Sequence, residues 1–468
     1  MAPGNSIGTL TINGNYVQNP GSTYEVEINP QGQSDLINVT GTATINGGTV
    51  SVLKEAGTYT PQRYTIVTAA GGRSGTYDAL VQMMPFLDIG LTYDANNVYL
   101  DVTRSGTNFP DVAQTPNQMS TAAGIESLGM GNPVYDAVLN AADTAQALLA
   151  FDTNSGELYS SLLSRFVEES RYARQAVLQH LSDASMTERM KRLGGRYLWA
   201  QGYGSWGDVD GTSNTAEVDR QTQGLFIGAD MQAAQHTLGV MVGYSNSQLK
   251  APARLSTAKS DNYTLGLYGR HDAETFIAKM GAAYTWQQFD VHRQAQLPTF
   301  TENLKGSHTA HTAQVFGQLN LVDNFTALHL QPLVGATYVT TDSRRWQEAG
   351  IAGLTGHNHF DTFYTHLGVE QGQALIETPT TVIRERVMLA WRHAYTGVYP
   401  LSTFAFTGGG NPFAIQGAPI AKDALVMDLG VDAALPQKGL NMRLAYIGQV
   451  GSQVQDHGLT GRVSWQFD

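Results

Sequence analysis

"HGLTGRVSWQFD", residues 457–468, ends the chain on a strict alternation. Leu459, Gly461, Val463, Trp465 and Phe467 share one face, and Gly458, Thr460, Arg462, Ser464 and Gln466 share the other. A period of two marks a β-strand with unlike faces. A half-buried strand of a soluble sheet alternates in the same way, so the remaining strands decide what the apolar face meets.

From about Arg196 onward the pattern recurs. Tyr263, Leu265 and Leu267 alternate with Thr264, Gly266, Tyr268 and Arg270; Val387, Leu389 and Trp391 alternate with Arg386, Met388 and Arg392. Leu425, Met427, Leu429 and Val431 alternate with Asp428, Gly430 and Asp432. In a soluble sandwich the apolar faces meet in a core and polar faces look outward. Here the polar face also carries many Gly, Ala and Tyr residues, and Tyr and Trp flank the apolar face. A transmembrane barrel accounts for both, with small and polar residues lining a lumen and aromatic girdles at the two interfaces. Its strands must close on themselves, because lipid offers an open edge no hydrogen-bond partner.

Segments beginning near Tyr197, Gly224, His236, Asn262, Phe276, Thr312, Thr326, Phe363, Val382, Ala424, Leu440 and Gly458 predict twelve antiparallel strands. "QAAQH", "GRHDAE" and "LPQKG" read as short turns. "RQAQLPTFTENLKGSH" (residues 293–308) and "DSRRWQEAGIAGLTGHNH" (residues 342–359) read as long polar surface loops.

The bulk figures agree with β structure. Of 468 residues, 50 are glycine and only 15% are charged, a balance that suits strands with one polar face better than a helical enzyme. The net charge of −12 excludes a broad nucleic-acid surface. No apolar run approaches the length of a transmembrane helix, which leaves barrel strands untouched as a possibility. The absence of cysteine fits an exported, oxidising route as well as a cytosolic one. "MAPGNSIGTL" lacks the basic start and apolar stretch of a signal peptide and reads as the start of a fragment.

Two further regions precede the barrel. In residues 1–105, "GTLTINGNY" at Gly8–Tyr16 recurs as "GTATINGGT" at Gly41–Thr49. Short strands punctuated by Gly and Asn suggest a solenoid such as a parallel β-helix, with a small β-sandwich as the alternative. The polar linker "TRSGTNFPDVAQTPNQ", Thr103–Gln118, leads into residues 106–190, which turn helical. Asn132 stands as an N-cap before Pro133. "SGELYSSLLSRFVEESRYARQAVLQHL" puts Leu158, Leu162 and Phe166 one turn apart, with Ser160, Ser164, Glu168, Arg171 and Gln175 on other faces.

The chain resembles the C-terminal part of type Va autotransporters of Gram-negative bacteria. "GTLTINGNYVQNPGSTYEVEINPQGQSDLINVTGTATINGGTV" is similar to the end of pertactin-like passengers, and the Ser155–Leu181 stretch is similar to the segment before the family's barrel. "WAQGYGSWGDVDG", "TQGLFIGAD" and "LGVMVGYSNSQL" are similar to its first strands, and "GGGNPFAIQGAPIAKDALVMDLG" to its late loop and following strand. The resemblance implies an all-β fold with a helical linker: a twelve-stranded antiparallel transmembrane β-barrel over residues 191–468, preceded by a parallel β-helix fragment. It implies a helix in the pore bearing Leu158, Leu162 and Phe166, and a passenger end with an autochaperone-like role over residues 1–105. It also implies that Leu459, Val463, Trp465 and Phe467 serve as the signal read by the barrel-assembly machinery. The expected partners are outer-membrane lipid, that machinery, periplasmic chaperones and the chain's own passenger, for a monomer in the outer membrane with its passenger at the cell surface. Family members usually end on the aromatic residue, whereas Asp468 follows Phe467 here.

Charged residues at inward positions, Asp230, Arg270, Lys279, Arg386, Arg392, Asp428, Asp432, Arg443 and Arg462, are read as pore-lining groups that bond one another or hold the helix. No nucleophile elbow, P-loop or H-E-x-x-H sequence occurs, and the expectation is no active site and no cofactor. His308 with His311, and His357 with His359, have ligand-like spacing beside expected loops but lack a third ligand, so no metal is expected. Some family members cut their linker at an Asn-Asn pair in the helix; the pair here, Asn96-Asn97, lies in the first region instead. The rival readings are a porin-like channel with an N-terminal periplasmic domain, an adhesin residing in residues 1–105, and an esterase-type passenger.

Overall fold

The computed structural model describes residues 1–4, 6–55, 57–81, 84–182, 195–322 and 330–467. The chain starts as a coil of short strands. β1 (Thr9–Ile12), β2 (Tyr16–Gln18) and β3 (Thr23–Ile28) form its first turn; β4 (Leu36–Val39), β5 (Ala43–Ile45) and β6 (Thr49–Lys54) form its second. β7 (Gln62–Ala69), β8 (Arg73–Gly75) and β9 (Ala79–Val81) form its third. Each turn gives one strand to each of three parallel faces, β1-β4-β7, β2-β5-β8 and β3-β6-β9. This is a three-rung parallel β-helix. Tyr24, Val26, Ile28, Ile37, Val39, Val50 and Ile66 fill it and are wholly buried. Corners are tight: a Cβ at Gly75, whose φ is +76°, would meet the Ile45 carbonyl oxygen. The antiparallel hairpin β10 (Leu87–Tyr93) and β11 (Asn97–Arg104) then pairs onto β7 and ends the parallel stack.

The two similar segments of the first region are not equivalent turns of this coil. Thr9–Ile12 lies on the first face and Ala43–Ile45 on the second. What recurs in sequence is a strand followed by a Gly/Asn corner, and every corner of the coil asks for the same chemistry.

Four helices follow: α1 (Pro116–Glu126), α2 (Pro133–Leu139), α3 (Thr144–Asn154) and α4 (Glu157–Leu181). Thr115, Asn132 and Asp143 cap the first three by accepting from Gln118, Val134 and Gln146 backbone N–H groups. The helical stretch from Asn132 to Phe151 is thus two helices, broken at Asn140–Asp143. One apolar core runs from the β-helix (Tyr24, Leu100) through Phe109 and Phe151 to Trp346, Phe404 and Phe413 in the barrel mouth.

The barrel strands are β12 (Arg196–Val209), β13 (Val218–Ala233), β14 (His236–Ala251), β15 (Ser256–Asp272), β16 (Phe276–Gln296) and β17 (Thr301–Leu321). They continue as β18 (Gln331–Gln347), β19 (Leu354–Glu377) and β20 (Val382–Ala394). A hairpin, β21 (Leu401–Phe406) with β22 (Gly409–Gln416), interrupts the series before β23 (Asp423–Leu435), β24 (Leu440–Gly451) and β25 (Val454–Phe467). Every barrel strand is antiparallel to its neighbours, and β12 pairs with β25 from Arg196↔Phe467 to Val209↔Val454. Pairing of β18 with β19 and of β20 with β23 completes the ring. Leaving out the β21–β22 hairpin, the closed barrel has twelve strands. That fulfils the expectation from the period-two segments; the segment start at Thr326 and the terminal Asp468 lie outside the described residues.

The barrel's two ends differ. Ala234–Gln235, Ala273–Thr275 and Pro436–Gly439 are tight connections at one end, and the other end carries strands far longer than the roughly 9–11 residues a membrane requires. β16 shows why. Its outward residues run Met280, Ala282, Tyr284, Trp286, Gln288, Asp290, His292, and its inward ones run Lys279, Gly281, Ala283, Thr285, Gln287, Phe289, Val291. The polarity inverts at Trp286: below it the outside is apolar and the inside polar, and above it the reverse holds. Below Trp286 the strand sits in lipid, and above it the strand stands in water around an apolar mouth. Tyr244, opposite Tyr263, and Tyr263, opposite Trp286, continue that aromatic boundary across strands.

Residues 293–308 and 342–359 are accordingly not long loops. Only Leu297–Phe300 and Glu348–Gly353 are non-strand there, the rest being the projecting ends of β16 to β19. Above the girdle, polar residues face out and alternation continues with its sign reversed, which reads as loop composition. The histidine pairs move with them: His308 and His311 lie within β17, and His357 and His359 within β19.

Candidate functional site: the occupied barrel lumen

α4 runs the length of the barrel. Its 25 residues span about 37 Å at 1.5 Å per residue, more than a bilayer's hydrocarbon core. The first turn sits at the mouth. Glu157 is buried there, accepting from Arg254 Nε at 2.8 Å, Ala216 N at 2.7 Å and Asn117 Nδ2 at 3.1 Å. Asn117 of α1 also donates to the Gln416 carbonyl at 2.8 Å, so the linker, two barrel loops and the hairpin converge on one carboxylate.

The segment after β22 lies against the helix. Ser160 Oγ donates to the Ile415 carbonyl at 2.9 Å, Ser164 Oγ donates to the Ala418 carbonyl at 2.7 Å, and Ala418 N donates to Ser161 Oγ at 2.9 Å. Small hydroxyl residues and Gly417 permit this approach, since a Cβ on Gly417 would stand 2.5 Å from Ser160 backbone carbon. Tyr159 stacks on Trp346 at 3.9 Å between ring centroids and donates to Glu348 at 3.0 Å, and Glu348 pairs with Arg293 at 2.6 Å. Leu158, Leu162 and Phe166 are buried in the same apolar mouth, Phe166 against Phe289 at 5.6 Å.

Deeper in the lumen ion pairs to the helix itself multiply. Glu168 receives both terminal nitrogens of Arg392, at 2.9 and 3.1 Å. Arg171 lies 2.7 Å from Asp456 of the last strand, which also binds Arg220 and Ser205. Arg174 donates to Gln314 Oε1 at 2.8 Å, and Arg165 pairs with Glu169 at 2.7 Å. Bidentate and multiply bonded pairs of this kind hold position where water is scarce.

At the turn end, Gln179 donates to Asp428 at 2.7 Å and His180 meets Asp230 at 2.6 Å, with Tyr268 donating to that carboxylate at 2.8 Å. Arg270 reaches the Leu181 carbonyl at the negative end of the helix dipole and pairs with Asp272 at 2.7 Å. Lys279 contacts Ser182 and lies 3.5 Å from Glu370. Asp432 gathers Arg386 at 3.0 Å, Arg443 at 2.6 Å and Arg462 at 3.9 Å, and Arg443 bridges on to Asp428 at 2.6 Å.

Of the inward charged positions named from sequence, Asp230, Arg270, Lys279, Arg386, Arg392, Asp428, Arg443 and Arg462 are buried on the lumen face, and Asp432 is half-buried there. The sequence reading missed Asp456, Arg220, Glu370 and the Arg293–Glu348 pair. Asp456 was within reach: it continues the inward series Gly458, Thr460, Arg462 by one step. On the opposite face of that strand Leu459, Val463, Trp465 and Phe467 point outward, toward lipid. Among the described residues no group of His, Asp or Glu side chains has metal-site geometry. Asn96 stands in the β10–β11 turn and Asn97 opens β11, and Asp94 accepts from both backbone N–H groups.

Comparison with known proteins places the chain. An extracellular serine protease of Serratia marcescens is 26% identical over 522 aligned positions, covering 100% of this chain and 50% of the relative. A second Serratia marcescens extracellular serine protease is 24% identical, over 99% of this chain and 49% of its own length. The chain thus spans about half the length of the curated relatives it matches. Among solved structures, the translocator domain of autotransporter NalP from Neisseria meningitidis matches with 20% identity and a TM-score of 0.46, covering 64% of this chain and 98% of that one. The β domain of the Bordetella autotransporter BrkA matches with 13% identity and a TM-score of 0.40, covering 58% and 99%. The sequence profile of the autotransporter beta-domain matches residues 198–446, more than half of the chain, and on that match the chain belongs to the autotransporter family, with its barrel the outer-membrane translocator.

Proposed function

We propose that residues 1–105 are the membrane-proximal end of a passenger, residues 106–190 its linker, and residues 191–468 the unit that carries it across the outer membrane. The observation that carries this reading is the course of the chain: α4 starts among the projecting strands, beside the helices that join the β-helix, and ends at the tight turns. A chain drawn outward through the barrel, with its last stretch left in the pore, has this arrangement. The β-helix ends on the strand edges of β1 and β2, while Met1 already pairs onto β3 at Thr23 and Glu25. Further turns of a passenger stack on this end, so folding outside the cell hinders back-sliding. Export then draws on folding free energy and needs no nucleotide.

The terminal strand, with Leu459, Val463, Trp465 and Phe467 outward, suits recognition by the barrel-assembly machinery, and periplasmic chaperones suit a chain that crosses that compartment unfolded. The β-domain is a translocator and not a catalyst. The relatives' name assigns proteolysis to those whole proteins; for this protein, an enzymatic activity belongs to the passenger side and not to the barrel. A helix bonded along the lumen disfavours the channel reading, because the helix occupies the conduction path.

The test is protease shaving of intact Gram-negative cells that make this chain behind a signal peptide, with epitope tags near residue 5 and in the loop near residue 350. Loss of both tags, with a barrel-sized core left in the membrane, supports export of residues 1–105. Loss of the loop tag alone, with the N-terminal tag protected until the outer membrane is opened, overturns it in favour of a periplasmic domain.

A further inference from the structure

The charges around the middle of α4 do not balance. Five guanidinium groups, Arg165, Arg171, Arg174, Arg220 and Arg392, face three carboxylates, Glu168, Glu169 and Asp456. Glu168 serves Arg392, Glu169 serves Arg165, and Asp456 serves Arg171 and Arg220 together. Arg174 has no carboxylate partner among the described residues. It is 8% exposed, and its hydrogen bond goes to the neutral Gln314 side chain at 2.8 Å. A buried cation without a counter-charge is costly, and a protein interior offsets that cost with water or an ion.

Room for one exists. A cavity of about 60 Å³ opens between the helix and the barrel wall, lined by Arg171, Arg174, Arg392 and His366 with Leu178 and Met388. That volume holds several waters, or one small ion with water beside it. We propose that this cavity is a binding site for a small monovalent inorganic anion of the halide class, which acts as the counter-ion of Arg174. The size of the cavity and its partly apolar wall select a weakly hydrated, compact anion. Phosphate is larger and doubly charged, and the cavity of about 60 Å³ leaves it little room beside the apolar Leu178, Met388, Ala390 and Val426. The anion sits where the helix meets β19 and β20, beside the Glu168–Arg392 pair, and adds a second ionic link between helix and barrel.

The test uses the full chain, refolded or extracted in detergent and crystallised in sodium bromide. An anomalous bromide peak in the cavity, within hydrogen-bond reach of Arg174, is the expected result. In solution, chloride or bromide at fixed ionic strength should raise the melting temperature by about 2–4 °C over gluconate, and Arg174→Met should lose that difference. Should Arg174→Met fail to fold, the bromide map of the unaltered chain decides. Bromide found only on the outer surface, or a melting temperature that is the same in halide and gluconate, means that the cavity holds water alone and overturns the proposal.

Discussion

Arg171 on the pore helix and Asp456 on the last strand lie 2.7 Å apart, and Asp456 takes Arg220 of β13 at the same time. One carboxylate therefore joins the inserted helix to strands on both sides of β12. Asp456→Asn leaves two buried guanidiniums sharing a neutral amide. Breaking a buried pair by neutralising one partner costs about 3–5 kcal/mol. The expected outcome is a lower temperature for the shift from compact to unfolded migration on gel electrophoresis. An unchanged transition would mean that water already screens the site.

Lipid and water along one outer face should respond oppositely to charge. Leu267 points outward below the girdle, and Gln288 points outward just above Trp286. Leu267, opposite Ala282, lies well below the Trp286 boundary, and Leu267→Arg should lose about 2–4 kcal/mol in lipid-vesicle folding. Gln288→Arg should leave stability unchanged within about 0.5 kcal/mol. Equal effects at the two sites would contradict the boundary drawn at Trp286.

Gly417 lets the chain after the mouth hairpin touch the helix backbone. Gly417→Val adds side-chain carbons where Ser160 already stands, and overpacking of this kind costs about 1–3 kcal/mol. The barrel itself should still close. Limited proteolysis should then cut the linker near residues 150–160 faster than in the unaltered chain, while heat-resistant migration of the barrel is kept.

Outside the membrane, Lys54 gives a pH signature. Its ammonium lies 3.1 Å from Met84 Sδ and 3.4 Å from the Asn140 carbonyl, over the Tyr59 ring, and burial lowers its pKa from the ordinary 10.5 to about 8. Because the folded pKa is the lower one, the unfolded chain binds the proton more tightly between these values. The Lys54 contribution to the stability of the β-helix and linker should therefore rise from about pH 8 upward. The buried Tyr24, Tyr59, Tyr64 and Tyr77, whose pKa values burial raises above the ordinary 10.0, pull stability down as pH nears that value. The difference between the unaltered chain and the Lys54 variant isolates the lysine. Lys54→Met should flatten that rise and stabilise the region at neutral pH, as read by chemical unfolding followed at the β-helix tyrosines. A slope unaltered by the substitution would assign it to another group.

Period-two alternation made the strand number and the lumen face legible. Tyr263, Leu265 and Leu267 need no partner information to declare an outward apolar row. The ends of the strands were not legible, because above Trp286 solvent replaces lipid and Phe289 and Val291 turn inward. A reader who expects apolar residues outside takes that reversal for a loop. The hairpin β21–β22 was hidden for a similar reason: its aromatic residues Phe404, Phe406 and Phe413 pack onto a mouth that exists only after the barrel has closed. Pairings such as Glu168 with Arg392 join residues far apart in sequence, and spacing carries no trace of them. The coil of residues 1–105 repeated its corner chemistry more faithfully than its turns, so the visible likeness joined strands of different faces.

Barrel strands pair with the next barrel strand in the chain, across the β21–β22 insertion between β20 and β23 as well, and the one join of the two ends of the series is β12 with β25, where Arg196 meets Phe467. Most of the ring can therefore grow by successive hairpins, each closing a short loop at small entropic cost. The last join instead brings together the two ends of the entire domain and is the long-range contact of the topology. Contacts of that sort set folding rates, so this seam is where the assembly of the ring should be slowest.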